Sequence, residues 1–568
     1  MEAKPRLETD VETLAELCEE FFALSLEAEP FAATVLGFHE YDAAVPDVTL
    51  AGEAAMRARL VDVQQRAAAL AGPHVQGQDE VSRAMLETMA GHAIESIDAK
   101  GVEYTVTPFW FGAQAQVLTW LPKTRLDSAD QAQAYVERVA KLDRFLVDSA
   151  ARLHDGLQGG LTPVAAGVAG SLSQIDEYLG MDLDADPLLE AVRSAADSVV
   201  TPELREHAEA LIRDQVRPAM SAFRAVLADE IGPRARSDEQ PGLAWLPDGE
   251  ARYAIAIRQH TTTERSAQEL HDLGLREIAR LEDEYRELGG RVLGTDDLAE
   301  IYRRLRDDPA LRFDDPAAVV ASAEAAIERA RAALPDWFGH LPQAPCEVRA
   351  IPEMEARGST IAYYTPPPDD GSGPGTYWVN TTTAASVYES EAVAFHETLP
   401  GHHLQIELAQ RLEGLPAFRR HAGVTAYVEG WGLYTERLAD EMGLYSSDLM
   451  RMGMLSLDSL RAGRLVVDTG LHALGWSRAK AVEFLVDNSA QDPGVMEAEV
   501  ERYISYPGQA LGYMVGRIEL LRMRTEAQAR MGSAFDIRGF HDVVLGSGAV
   551  PLNVLEDLVT SWSMTPRS

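Results

Sequence analysis

The stretch Glu391–Gln405 reads EAVAFHETLPGHHLQ, and its interpretation governs that of the whole chain. His396, Glu397, His402 and His403 fall within eight positions, beside an apolar helical pattern and on either side of Pro400-Gly401. A lone histidine in such a setting would be read as packing. Four clustered groups of ligand type point instead to a metal site, because buried polar side chains need partners.

A zinc hydrolase needs two imidazoles on one side of the cation and a carboxylate beside a bound water, which HExxH supplies from one helical turn. His396 and Glu397 begin that pattern, but the position four residues on is Pro400. In an unbroken helix His402 would lie about 240° round the axis from His396, and His403 on the same face but roughly 10.5 Å further along. Pro400 resolves the conflict, since it cannot donate the hydrogen bond that the carbonyl of His396 expects and its ring crowds that carbonyl. The helix must bulge or break, with Gly401 free to take positive φ at the distortion. Removing Pro-Gly as a two-residue insertion leaves HETL-H, the ordinary spacing. His402 is therefore favoured as second ligand, with His403 as the alternative. Whichever of the two is not a ligand orients its neighbours or touches substrate.

A third ligand is expected on a later helix, and TAYVEGWGLYTERLADEMG offers one. Glu429 and Glu436 share a helical face, and Glu429 follows His402 by 27 residues, enough for a turn and an antiparallel return. Gly430 and Gly432 weaken the competing reading of a merely solvated face, because glycine inside a helix costs about 1 kcal/mol and suggests a close neighbour.

The blocks HETLPGHHLQ, VEGWGLYTERLADEMG and RYISYPGQALGYMVG resemble the signatures of a bacterial family labelled as a domain of unknown function, and EAEPFAATVLGFHEYD resembles its opening. That family is similar to the gluzincin zinc metallopeptidases, with HExxxGH in place of HExxH. The resemblance covers most of the chain. It implies a mainly α, two-lobed fold with a small β-sheet next to the metal-binding helix. It also implies that Tyr377, Val379 and Asn380 form a sheet edge that grips an extended peptide by β-strand addition.

At 568 residues the chain exceeds the roughly 250–300 that one core serves, so at least two lobes are expected. A polar segment with proline and glycine, GPRARSDEQPGLAWLPDGE, places the boundary near 240, giving an N-terminal helical lobe over 1–240 and a catalytic lobe over 241–568. A net charge of −39, spread along the chain, disfavours nucleic acid and anionic membranes as partners. Two cysteines, Cys18 and Cys346, cannot make a disulfide framework or a cysteine-rich zinc module. The charged opening MEAKPRLETDVETLAELCEE has no signal-peptide core, and no long apolar run suggests a membrane span, so a cytoplasmic enzyme is expected. The oligomeric state is not legible.

Helical periodicity covers Thr9–Leu26 and about 51–72, 78–98, 128–154 and 201–230, the last interrupted near Pro218. The aromatic, turn-rich VTPFWFGAQAQVLTWLP reads as packing or cleft lining. The glycine-rich 153–174 lacks a Walker lysine and reads as packing. Ser266 and Glu269 can form a capping box, and the charges of REIARLEDEYREL read as a solvated face. CEVRAIPE, STIAYYTPP and GTYWVNT, over about 345–381, are short β-type runs immediately before the metal motif.

In ERYISYPGQALGYMVGRIELLRMR, Pro507-Gly508 breaks the chain, and Gln509, Tyr513 and Gly516 lie near one face of the helix that follows. Tyr513 is the first choice to stabilise a tetrahedral oxyanion, with Tyr503 and Tyr506 as alternatives. Arg502 and Arg517 can pair with a substrate carboxylate, and Gln509 and His403 can also contact substrate. The resulting expectation is zinc-dependent hydrolysis of an amide bond in a small peptide or peptide-like molecule. His396, His402 and Glu429 hold Zn²⁺, and Glu397 serves as general base. A non-haem iron enzyme built on the same ligands and a non-catalytic helical scaffold are the rivals.

Overall fold

Helical patterning becomes helix almost throughout, and among the described residues strand is confined to three short segments. The computed structural model describes residues 4–352, 361–368, 373–381 and 385–565, with side chains from residue 13 onward. Among the described residues no helix is long and apolar enough to cross a membrane.

The chain divides into two units. The first comprises 1–74, 86–255 and 471–479. Its core gathers Phe31, Tyr135, Phe145, Tyr178, Met220 and Phe223 from successive helices. The helix expected over 128–154 is two, Ala129–Val139 and Leu142–Gln158, the first opened by a capping box between Ser128 and Gln131. The region 202–231 stays helical past Pro218. A wide π turn at Ile212–Val216 precedes that proline, which has no N–H to return to the previous turn. The glycine-rich stretch packs closely: a Cβ at Gly156 would lie 2.0 Å from the carbonyl oxygen of Glu103, and one at Gly167 2.2 Å from that of Val106.

The second unit comprises 75–85, 256–470 and 480–568. Its long helix Ala267–Val292 opens with the capping box of Ser266 and Glu269. The charged face of that helix is only partly solvated. Arg286 pairs with Glu282 and Asp283 at the surface, whereas Glu277 and Glu284 turn to Arg517 and Arg437.

The sheet has strands β1 (Cys346–Ala350), β2 (Ala362–Thr365) and β3 (Gly375–Val379) in the order β1-β3-β2. β3 pairs parallel with β1 and antiparallel with β2, which corrects the expected edge. Tyr377 and Val379 stand in the central strand, their backbone bonded on both sides. The N–H of Asn380 donates to Ile361 O at 3.0 Å, so it too is unavailable to an added peptide. The sheet was legible as three β runs, but strand order depends on long-range pairing that local pattern does not encode.

Candidate metal centre

The motif helix Ser390–Glu397 stops at Thr398, and a second helix, His402–Gln410, starts four residues later. The Leu399–Pro400 peptide is cis. Gly401 has φ −79°, so the expected positive φ is corrected. Its missing side chain matters for space, since a Cβ would lie 1.8 Å from the carbonyl oxygen of His396. The indole of Trp431 donates to Pro400 O at 3.1 Å and ties the break to the helix Thr425–Glu441.

This break turns His402 back toward His396, with ring centroids 4.7 Å apart and planes at 88°. Glu429 reaches both imidazoles, its Oε2 lying 3.6 Å from His396 Nε2 and 3.7 Å from His402 Nε2. One donor atom from each of the three residues falls within 4.8 Å of the others. Tetrahedral zinc with bonds of about 2.0–2.1 Å places its ligands about 3.3–3.4 Å apart, so small side-chain movements would close the set.

The outer nitrogens identify the tautomers. His396 Nδ1 donates to Glu436 Oε1 at 2.9 Å, and His402 Nδ1 donates to Gln405 Oε1 at 3.1 Å. Both acceptors are oxygens, so each ring carries its proton on Nδ1 and can offer the Nε2 lone pair to the centre. Burial opposes a charged His396, but the carboxylates of Glu429 and Glu436 push its pKa up to about 9. Burial likewise works against an ionised Glu429, yet the two imidazoles hold its carboxyl well below the usual range. The donor set, two imidazoles and a carboxylate, fits a divalent metal.

Two glycines make the geometry possible. A Cβ at Gly432 would lie 2.6 Å from Cε1 of His396, and one at Gly430 would lie 2.5 Å from Cα of Gly516 on the helix Leu511–Met531. The first lets the ligand ring lie against its neighbouring helix, and the second lets two helices cross at backbone distance.

Glu397 is half-buried and has no hydrogen-bond partner among the described residues. Its charge acts on His396 and on the phenol of Tyr377, which burial and Glu397 together hold protonated. Tyr513 is half-buried with an unpartnered hydroxyl among the described residues. Burial and the charge of Glu429 raise its pKa. Tyr503 is committed elsewhere, its hydroxyl bonded to Glu499 and Arg464, and Tyr506 packs edge-on against His260.

Arg502 and Gln509 stay near Tyr513, bonded to each other at 2.5 Å. Arg517 does not join them: it is 2% exposed and paired with Asp458 and Glu277, so its expected substrate role is corrected. His403 is also corrected. Its Nδ1 lies 2.7 Å from the hydroxyl of Tyr364 and its Nε2 3.0 Å from Ala344 O, leaving no nitrogen for metal or substrate. It fastens the second motif helix to the sheet. Glu436, Gln405, Arg461 and Arg464 went unassigned in the sequence. Only Glu436 carried a signal, its seven-residue offset from Glu429.

Residues 30–559 match the model of a family described as bacterial proteins of unknown function (DUF885). A comparison with curated proteins finds no match. Among solved structures, a candidate lipoprotein from Colwellia psychrerythraea is similar at 26% identity with a TM-score of 0.87, over 98% of this chain and 99% of that one. A candidate lipoprotein of unknown function from Shewanella oneidensis shares the fold at 17% identity with a TM-score of 0.78, over 96% of this chain and 99% of that one.

Proposed function

The chain belongs to the bacterial DUF885 family, and we propose that it is a zinc-dependent hydrolase of gluzincin type acting on amide bonds in small peptides or peptide-like molecules. The observation that carries this reading is the convergence of His396, His402 and Glu429 beside Glu397, which has no hydrogen-bond partner among the described residues. Zinc held by these three residues supplies Lewis acidity and lowers the pKa of a water to about 7. Glu397 accepts the proton of the attacking water and returns it to the leaving nitrogen. Tyr513 keeps its proton and donates a hydrogen bond to the oxygen that gains charge. Glu436 and Gln405 fix the two imidazoles so that little reorganisation is needed. β3 is paired on both sides, so its own backbone is not open to an added peptide strand.

Replacing Glu397 by Gln tests the assignment. Metal content should persist while hydrolysis of a peptide mixture falls by about 10²- to 10⁴-fold. Retained hydrolysis would count against Glu397 as base, and bound iron with oxygen consumption would favour the oxygenase rival.

A cytoplasmic location forms part of the proposal and is supported by the low cysteine content, two residues in 568. The lipoprotein names of the structural neighbours point the other way for those proteins. Recovery of the native protein in the envelope fraction would overturn the cytoplasmic assignment.

A further inference from the structure

Next to the metal centre lies a group of arginines with too few counter-charges. The guanidinium of Arg464 sits 4.4 Å from the ring centroid of Tyr513, whose phenol feels the charge of Glu429. Arg464 donates from Nε and Nη2 to a single oxygen, Glu499 Oε2, at 3.2 and 2.8 Å. Arg502 donates to that same oxygen at 3.0 Å, and the hydroxyl of Tyr503 also uses it. One carboxylate oxygen therefore serves two guanidinium groups and a phenol. Arg464 is 6% exposed, and its Nη1 has no hydrogen-bond partner among the described residues. Arg461 adds a third positive charge within reach of Tyr513, and its nearest carboxylate, Glu436 at 3.8 Å, is already engaged by His396.

A carboxylate shared by two guanidinium groups leaves their remaining donors to be met by a further anion, and such an anion can arrive with the ligand. The rim of the group is open. The side chain of Arg502 is 25% exposed, and Gln509 and Tyr513 are half-buried. Gln509 accepts from Arg502 through Oε1, which leaves its Nε2 as a further donor. Arg464 and Arg502 share the carboxylate of Glu499, and the one positive charge left over between them, presented by planar donors, matches a planar monoanion.

Resting on the hydrolase reading, we propose that Arg464, Arg502 and Gln509 form a subsite for the free C-terminal carboxylate of the substrate, so that the enzyme cuts near a peptide C-terminus. Tyr513 divides this subsite from the reacting carbonyl. In the reaction, water oxygen bonds to the acyl carbon and the carbon–nitrogen bond breaks. The proton taken by Glu397 passes to the nitrogen, and the departing amine fragment keeps its own carboxylate on the arginines.

The test uses the metal-loaded Glu397→Gln protein and two matched short peptides, one a free acid and one a C-terminal amide, titrated calorimetrically. The free acid should bind about 10- to 100-fold more tightly, the range of a charge-assisted hydrogen-bond pair. Adding Arg502→Gln should bring the ratio near one. Equal binding of acid and amide to the Glu397→Gln protein overturns the subsite, whatever the arginine variant does. The two readings also fail separately: wild-type protein that cleaves acid and amide equally keeps the hydrolase and removes the subsite, whereas acid preference without any cleavage keeps the subsite and removes the hydrolase.

Discussion

Alanine at position 432 should damage the metal centre while leaving the fold intact. The added Cβ would lie 2.6, 2.7 and 2.9 Å from Cε1, Nε2 and Nδ1 of His396. Carbon atoms in ordinary contact are about 3.5–4.0 Å apart, so the ring must retreat by about 0.9 Å or more. It has little freedom to do so, since Nδ1 is held by Glu436 at 2.9 Å and the ring of His402 stands edge-on at 4.7 Å. Metal–ligand distances tolerate only about 0.2 Å. Loss of ideal placement for one ligand should weaken zinc binding by about 10- to 100-fold, the range seen when outer-sphere support is removed. Overpacking costs about 1–3 kcal/mol and the gain in helix propensity recovers about 1 kcal/mol, so the metal-free variant should lose no more than about 2 kcal/mol of stability. Competition with a chromogenic chelator gives the affinity, and circular dichroism melting gives the stability. A folded Gly432→Ala protein with wild-type zinc affinity would refute the placement of His396 against this helix.

Glu436→Gln keeps the shape of the partner of His396 but removes its charge, and zinc affinity measured by the same competition should fall about 10- to 100-fold. The two neighbouring histidines should separate cleanly: His402→Ala abolishes stoichiometric metal binding, whereas His403→Ala retains it and lowers the melting temperature through loss of the bonds to Tyr364 and Ala344. His541 is buried between Tyr434 and the carbonyl of Trp337, and burial lowers its pKa to about 3. The unfolded chain protonates this histidine near its ordinary value of about 6.5 while the folded chain does not, so stability falls as pH drops below that value. His541→Gln should flatten this part of the stability profile measured by thermal melting, and an unchanged acid slope would contradict it.

The grouping of His396, His402 and Glu429 that could hold a metal was readable because its constraints are local. Pro400 must interrupt the helix, and the interruption brings His402 rather than His403 beside His396. Glu429 was reachable because glutamate among helix-interior glycines is an unusual combination, and those glycines prove to mark contacts with His396 and Gly516. Features that depend on distant pairing were not readable. Arg517 looked like a free cation until Asp458 and Glu277 appeared beside it. Tyr377 and Val379 looked like an edge until β1 and β2 closed on both sides of their strand. Gly401 was needed for close approach to His396 O rather than for positive φ, a distinction that composition does not make. The shared use of Glu499 by Arg464 and Arg502 likewise exists only once two helices have met.

Anomalous diffraction at the zinc absorption edge, from crystals grown with stoichiometric zinc, tests the central claim most directly. A single strong peak about 2.0–2.2 Å from Nε2 of His396, Nε2 of His402 and a carboxylate oxygen of Glu429 is the expected result. No peak there, or a peak elsewhere with these three side chains unchanged, would contradict it.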